Sequence, residues 1–443
     1  MTFNDINLQF LTNFASMMTE NDLNKFIKTH LDDDIDDLLL HASRYPDVDM
    51  RSVAVQLKGR RMATKKLPQW ASVEDLLYPE HISMEQCSSQ QTADYKACVV
   101  QRLFGSVQNT DTTRFDGSTG HYMTITDLTG GFGVDAVALY KAFRTSRLVC
   151  VERNPDLCLL AEHNFPLLGV DNAEIICSDC ETVLPTLPRQ QIIFLDPARR
   201  DMHGRKTVAL SDCTPDITQV NDLLLEKADI VMVKLSPMLD ITLASRQLKG
   251  LTEVHVVSVD GECKELLAVL SSEMPAVEGS VTTYCVNINK EEVESVCFTA
   301  DEMAASSCAY AHELMTYLYE PNASIMKANA MNALGTRLNL EKLHPNSHLF
   351  TSESHVGDFH GRRFEVVGVY DFNKQGQKEL KAHVGKANLT VRNFPLSVAE
   401  LRKTLKISDG DETYLFATTL KGEQKAIIRT KKTASNEAVS FGC

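Results

Sequence analysis

Asp127-Leu128-Thr129-Gly130-Gly131-Phe132-Gly133-Val134-Asp135 continues the apolar, β-branched run that starts at Met123 and leads straight into the helix-like stretch Ala136–Phe143. Glycines at such a point let the backbone turn tightly and approach a ligand closely, with the amides of the following helix aimed at it. Outward from this turn the pattern repeats. The runs RLVCVE (147–152), AEIICSD (173–179), QIIFLD (191–196), DIVMVKL (229–235) and TEVHVVSVD (252–260) are separated by helix-length segments. Short β-branched runs alternating with helices predict a parallel sheet covered on both faces, a doubly wound α/β domain. Ligands of such sheets bind beyond the carboxyl ends of the strands.

The residues at those strand ends are informative. The first ends in Asp127 and the glycine loop. The second ends at Glu152, nineteen residues past Gly133, where a carboxylate can accept both hydroxyls of a ribose. The third ends at Ser178-Asp179-Cys180, where a carboxylate can meet an exocyclic amine. The fourth ends at Asp196-Pro197-Ala198-Arg199-Arg200. Two nucleotide ligands fit the first two ends. Gly131-Phe-Gly133-Val-Asp-Ala136 matches the dinucleotide fingerprint, and Glu152 suits an NAD ribose, so an NAD-dependent oxidoreductase is one reading. The acids at 127 and 179 and the Asp-Pro-x-Arg at 196–199 have no dinucleotide rationale.

With these residues in view the chain resembles the class I S-adenosylmethionine-dependent methyltransferases. Their pattern of D-x-x-x-G-x-G, two further acids and [DN]-P-P-x is met at Asp127, Gly131, Gly133, Glu152, Asp179 and Asp196-Pro197. The resemblance implies that Asp127, Thr129 and the Gly130–Gly133 backbone hold the methionine part of the cofactor, Glu152 its ribose, and Asp179 with Cys180 its adenine. It implies catalytic roles for Asp196, Pro197 and Arg199, with Asp196 orienting a target nitrogen and Pro197 stiffening the turn. Methyl transfer is an in-line displacement, so positioning and charge matching supply most of the acceleration. Amino-group methylators usually carry an aromatic residue soon after the proline, whereas here Ala198, Arg199 and Arg200 follow. Enzymes acting on uridine carbon five need a cysteine after the fifth strand, and that place reads Lys234-Leu235-Ser236-Pro237. Arg200, Lys234 and Ser236 are candidate substrate contacts, guanidinium groups being suited to phosphate or a base edge.

The blocks at 77–97 (LLYPEHISMEQCSSQQTADYKA), DLTGGFGVD, ERNPDLCLLAEHNF, LDPARRD, KLSPMLDI, VSVDGECKELL and PNASIMKANAM narrow the resemblance. They are similar to a bacterial methyltransferase family with a C-terminal THUMP-like domain, found chiefly in Bacteroidetes. Gln86, Ser88 and Thr92 stand either where such enzymes close a lid over the cofactor or at a plain helix cap. His163 is expected to pack.

The implied organisation is an N-terminal helical domain (1–75), a methyltransferase domain (76–265), a ferredoxin-like α+β module (266–335) and a basic THUMP-like domain (336–443). KLPQW, with Trp70, is expected as a linker or turn near the end of the first. At 443 residues the chain is long enough for two to four domains, and 43% apolar with 23% charged residues excludes a disordered or collagen-like chain. The net charge of −14 does not announce a nucleic-acid binder, yet residues 374–443 hold thirteen Lys and Arg against seven Asp and Glu, leaving −20 on the remainder. Basic strand ends with Arg392-Asn393-Phe394 and 425–432 make a surface for structured RNA, with Arg392 a candidate contact.

No stretch approaches the roughly 18 apolar residues that span a bilayer. The first twenty residues show no secretory signal. Twelve scattered cysteines point to reduced thiols and a cytoplasmic protein. No metal site is expected: the acidic run 32–37 lacks the glycine and glutamate of a calcium loop, and the histidines at 344, 348, 355 and 360 lack ligand spacing. These features lead to a methyltransferase that uses S-adenosylmethionine and modifies a base nitrogen in tRNA or rRNA. A methyltransferase of proteins or small molecules and a non-catalytic RNA-binding protein are the other expectations.

Overall fold

The computed structural model describes residues 20–107, 122–143, 146–199, 209–272, 281–290, 292–410 and 412–433, with backbone alone at 20–24, 106–107 and 199. The chain forms two compact units. The first takes in the chain up to Gly250 together with Ala268–Pro275, and the second Leu251–Leu267 and the chain from Ala276.

The first unit is built on parallel strands: β1 (Met123–Asp127), β2 (Ser146–Glu152), β3 (Ala173–Cys177), β4 (Gln190–Leu195) and, after the two-residue strands β5 (Ala198–Arg199) and β6 (Cys213–Thr214), β7 (Ala228–Leu235). Their order is β7-β4-β1-β2-β3, each pair parallel. The change of direction at β1 puts the ends of β1, β2 and β4 around one crevice, as expected at a switch point. Ile125, Ile192, Ile193, Val231 and Val233 are fully buried, which is why these strands read as continuous apolar runs.

Helices enter where the sequence supplies caps. Asn154 accepts from the Asp156 N–H and Pro155 occupies the first position of Pro155–Leu167, while Asp216 caps Ile217–Lys227. The helix Val134–Lys141 starts instead from Gly133 in the left-handed region (φ +86°).

Ahead of the sheet, the helices Glu20–Thr29, Ile35–Leu40 and Met50–Lys66 share a core of Ile27, Ile35, Leu38, Val53 and Leu57. The KLPQW segment is not a linker. Pro68–Ala71 is a helical turn that buries Trp70 against Phe132 of the glycine loop, ring centroids 4.9 Å apart. Two side-chain amides fasten the stretch around Leu77 and Tyr78. Gln56 exchanges hydrogen bonds with the Tyr78 backbone (both 2.9 Å), and Asn164 with that of Leu77 (2.8 and 3.0 Å). His163 is structural as expected, its Nε2 2.8 Å from the Asp75 carbonyl oxygen.

The second unit takes in β8 (Leu251–Val259) and, as far as Leu267, β9 (Glu262–Leu270), which flank Asp260-Gly261, both at positive φ. Beside β8 runs β10 (Thr282–Asn289) in parallel, and β11 (Glu292–Thr299) is antiparallel to β10. A seven-stranded sheet comes next, made of β12 (Tyr317–Pro321), β13 (Glu341–Lys342), β14 (Phe350–Ser352), β15 (Gly361–Asp371), β16 (Asn388–Arg392), β17 (Thr413–Thr419) and β18 (Lys425–Lys432). Its order is β13-β14-β12-β15-β18-β17-β16. One core sets Leu415, Ala417 and Ile427 against Leu380, Leu401 and Leu405 of the helices Lys374–His383 and Val398–Leu405. A second gathers Leu318, Leu343, Phe364, Phe416 and Ile428. The layers are the expected ones: N-terminal helices, an α/β sheet, and C-terminal α+β parts.

Among the described residues ten cysteines, from Cys87 to Cys308, carry free thiols. Among the described residues no helix is long and apolar enough to cross a membrane, and no group of acids, histidines and cysteines could hold a metal ion.

Candidate functional site

Asp127, the last residue of β1, is 1% exposed, and its Oδ1 accepts the Thr129 N–H at 2.9 Å. Burial, with Asp135, Asp196 and Glu152 nearby, drives its carboxyl up to about 8. The glycines that follow are required by their surroundings. A Cβ on Gly130 would stand 2.5 Å from the Cys150 sulfur, and one on Gly133 2.5 Å from the Phe165 ring. Gly131 lies at φ +55° with open space where its side chain would be, its nearest neighbour there being the Thr129 carbonyl at 3.8 Å.

Glu152, at the end of β2, is held by two backbone amides. Oε2 accepts from Gly131 at 2.7 Å and Oε1 from Asn154 at 2.8 Å. Its carboxylate is thereby fixed beside the glycine loop. Asp179 begins the short helix Cys180–Val183 without capping it and is exposed, while Cys180 is buried, its thiol pushed up to about 12 by burial and Glu181.

Asp196 reaches the same crevice from β4. Its N–H donates to the Thr129 hydroxyl at 2.6 Å, and its Oδ2 is ion-paired with Lys234 at the end of β7. Pro197 is buried behind it. Of the expected substrate contacts, Lys234 belongs to this cluster. Ser236 is used in a turn, its Oγ accepting the Met238 N–H. Arg199 contributes backbone to the β5–β6 pairing, and its side chain and Arg200 lie outside the described residues. Arg392 stands in the second unit, where it and Arg362 both fork onto the buried Glu320.

Sequence reading missed an interior network under the glycine loop. Asp135, in the first turn of Val134–Lys141, pairs with fully buried Lys96 at 3.0 Å and accepts from Ser88 at 2.7 Å, and Lys96 donates to Ser88 at 3.1 Å. Burial pushes the Asp135 carboxyl up, but the Lys96 and Lys234 ammonium groups and the Ser88 hydrogen bond more than offset it and hold it below the usual range. Ser88 is therefore not the cap of the helix that follows it. The cap of Gln90–Val107 is Ser89, whose Oγ accepts the Thr92 N–H. The available signal was a lysine among the apolar positions of that helix. Lys66 was missed as well: it donates to the Met84 and Glu85 carbonyls (2.9 and 2.6 Å), and burial lowers its ammonium.

A carboxylate poised for hydroxyls and an open glycine cradle suit a nucleoside, and the excess of acids (Asp127, Asp135, Glu152 and Asp196) over the lysines paired with two of them (Lys96 and Lys234) suits one that carries positive charge. That is the chemistry of S-adenosylmethionine, and the residues present fit it.

Family models match residues 317–359 as a ferredoxin-like domain and 361–431 as a THUMP domain-like region. No curated protein matches the sequence. Among solved structures, a "putative methyltransferase" from Porphyromonas gingivalis W83 is 32% identical, with TM-score 0.81, 93% of this chain and 98% of that one being covered. Cofactor-bound Rv0187 from MTB is 14% identical over 53% of this chain and 95% of its own (TM-score 0.32). The "putative methyltransferase yhhF" of Escherichia coli is 15% identical over 39% and 86% (TM-score 0.25). With 32% identity to the Porphyromonas gingivalis protein over 93% of its length, and with ferredoxin-like and THUMP-like domains toward its C-terminal end, the chain belongs to that protein's family, the class I methyltransferases with a C-terminal THUMP-like domain.

Proposed function

We propose that this protein transfers a methyl group from S-adenosylmethionine to a base nitrogen in tRNA or rRNA, in the cytoplasm. The observation that carries the reading is the linkage of Asp127 through Thr129 to Asp196, which ties the end of β1 to that of β4 with Glu152 fixed alongside. Asp127 and the amides of the glycine turn would hold the methionine part, Glu152 the ribose hydroxyls, and Asp179 with the Cys180 backbone the adenine edge. Bound there, the sulfonium supplies an electrophilic methyl group. The chain's own part is to orient and to match charge. Asp196, its backbone fixed by Thr129 and its carboxylate by Lys234, holds the acceptor's N–H, and Pro197 restricts the turn that carries it.

The RNA half of the reading is supported by the THUMP-like region and by the positive balance of residues 374–443, with Lys431 and Lys432 exposed on β18. Calorimetry with S-adenosylmethionine tests the first half: wild-type protein binds, and Asp127→Ala weakens binding at least tenfold. Absence of binding, or an unaffected variant, sinks it. Mass spectrometry of nucleosides in tRNA and rRNA from a strain lacking the protein tests the second, an unchanged inventory speaking against RNA. Reversing Lys431 and Lys432 to Glu should lower RNA affinity for all sequences alike and reduce the salt slope by about two.

A further inference from the structure

Asp196 and Lys234 stand level on adjacent parallel strands. Leu195 of β4 is the register partner of Val233 of β7, so the next residue of each meets the other at the carboxyl edge of the sheet, where the Lys234 ammonium pairs with Asp196 Oδ2. The Asp196 side chain is the more open of the two, 36% exposed against 14%. Two residues on stands Ala198, exposed and without a ring to stack on a base. An acceptor and a cation are thus presented side by side.

Such a pair sorts nitrogen nucleophiles by the charge they develop. An exocyclic amine gains positive charge as it takes the methyl group, and an ammonium alongside opposes that. A lactam, an N–H next to a carbonyl, must give up its proton, and negative charge spreads onto its oxygen. An acceptor for the N–H beside a cation matches both changes.

We propose that the acceptor is a lactam nitrogen of an RNA base, N1 of guanine or N3 of uracil, with Asp196 taking the N–H and the Lys234 charge stabilising the neighbouring oxygen. This rests on the methyltransferase reading above. The lactam proton passes to the Asp196 carboxylate and on to water. The nitrogen electron pair forms the bond to the methyl carbon, and the carbon–sulfur bond breaks with its pair going to sulfur, leaving S-adenosylhomocysteine.

The test incubates the full chain with methyl-labelled S-adenosylmethionine and RNA from cells lacking the protein, then digests the RNA and identifies labelled nucleosides by mass spectrometry. Label on N1 of guanosine or N3 of uridine is expected. Label on N6 of adenosine, N4 of cytidine or N2 of guanosine overturns the lactam and leaves the RNA reading standing, whereas RNA without label overturns both. Lys234→Met should lower turnover on the order of 100-fold. Its affinity for S-adenosylhomocysteine by calorimetry should be retained, and its turnover should climb with pH as the lactam ionises unaided. Lys234→Arg should recover much of the rate. A loss equal at every pH, or one that follows lost affinity for S-adenosylhomocysteine, overturns the role given to Lys234.

Discussion

The Thr129 hydroxyl accepts the backbone N–H of Asp196 at 2.6 Å, while the Thr129 N–H donates to Asp127 at 2.9 Å. One short side chain therefore sets the distance between the turn after β1 and the turn after β4. Thr129→Val keeps the shape and removes the acceptor. An unsatisfied amide costs about 1–3 kcal/mol. Transfer should fall at least tenfold while affinity for S-adenosylhomocysteine changes by less than threefold, as measured by single-turnover kinetics and calorimetry. Equal losses in both would disprove the separation of the two turns.

Asp127 carries a pH signature. Its carboxyl lies at about 8 in the folded protein against 3.8 for the free group. Between those values the unfolded chain has lost this proton and the folded chain has kept it, so the group's contribution to stability is complete below about 4 and is lost as pH rises through 8, by at most about 1.4 kcal/mol per pH unit. Asp127→Asn lacks this loss. Its melting temperature relative to wild type should rise steadily from pH 5 to pH 8, and parallel curves would refute the assignment. Binding of a cation should favour the ionised form, so cofactor affinity of the wild-type protein should increase over the same range.

Gly130 is required by a neighbour rather than by its own backbone. A methyl group there would stand 2.5 Å from the Cys150 sulfur. Gly130→Ala should destabilise by about 1–3 kcal/mol through overpacking. Adding Cys150→Ala removes the obstructing atom, and the double variant should regain most of the loss in urea unfolding. Additive losses would show that the crowding lies elsewhere.

The Lys96–Asp135 pair is out of water, so removing one partner strands the other. Lys96→Met should cost about 3–5 kcal/mol, and the double variant Lys96→Met with Asp135→Leu should be less destabilised than Lys96→Met alone. Unfolding midpoints of the two chains decide it. If the double variant is the weaker, Ser88 and its neighbours depend on the charges themselves.

Much of the site was legible because strand ends in a parallel sheet are set by local pattern. Asp127, Glu152, Asp179 and Asp196 each close an apolar run, and the switch of direction at β1 gathers three of them. What escaped was set by contacts distant along the chain. Ser88 resembles a helix cap, yet Ser89 caps and Ser88 serves Asp135, 47 residues away. KLPQW reads as linker or turn alike until Phe132 is found packed against Trp70. Lys234 reads as a substrate contact on its own, and only register pairs it with Asp196.

Sequence alone thus determined the order of strands and helices, the glycine turn and the acids beyond it, because burial on both faces and a tight ligand approach each demand particular residue types at fixed spacing. Only the tertiary structure decided which charges meet. An ion pair such as Lys96–Asp135 or Lys234–Asp196 leaves no periodic trace, since it forms between elements whose separation is set by packing and sheet register, and it is at those pairs that the chemistry of the site is tuned.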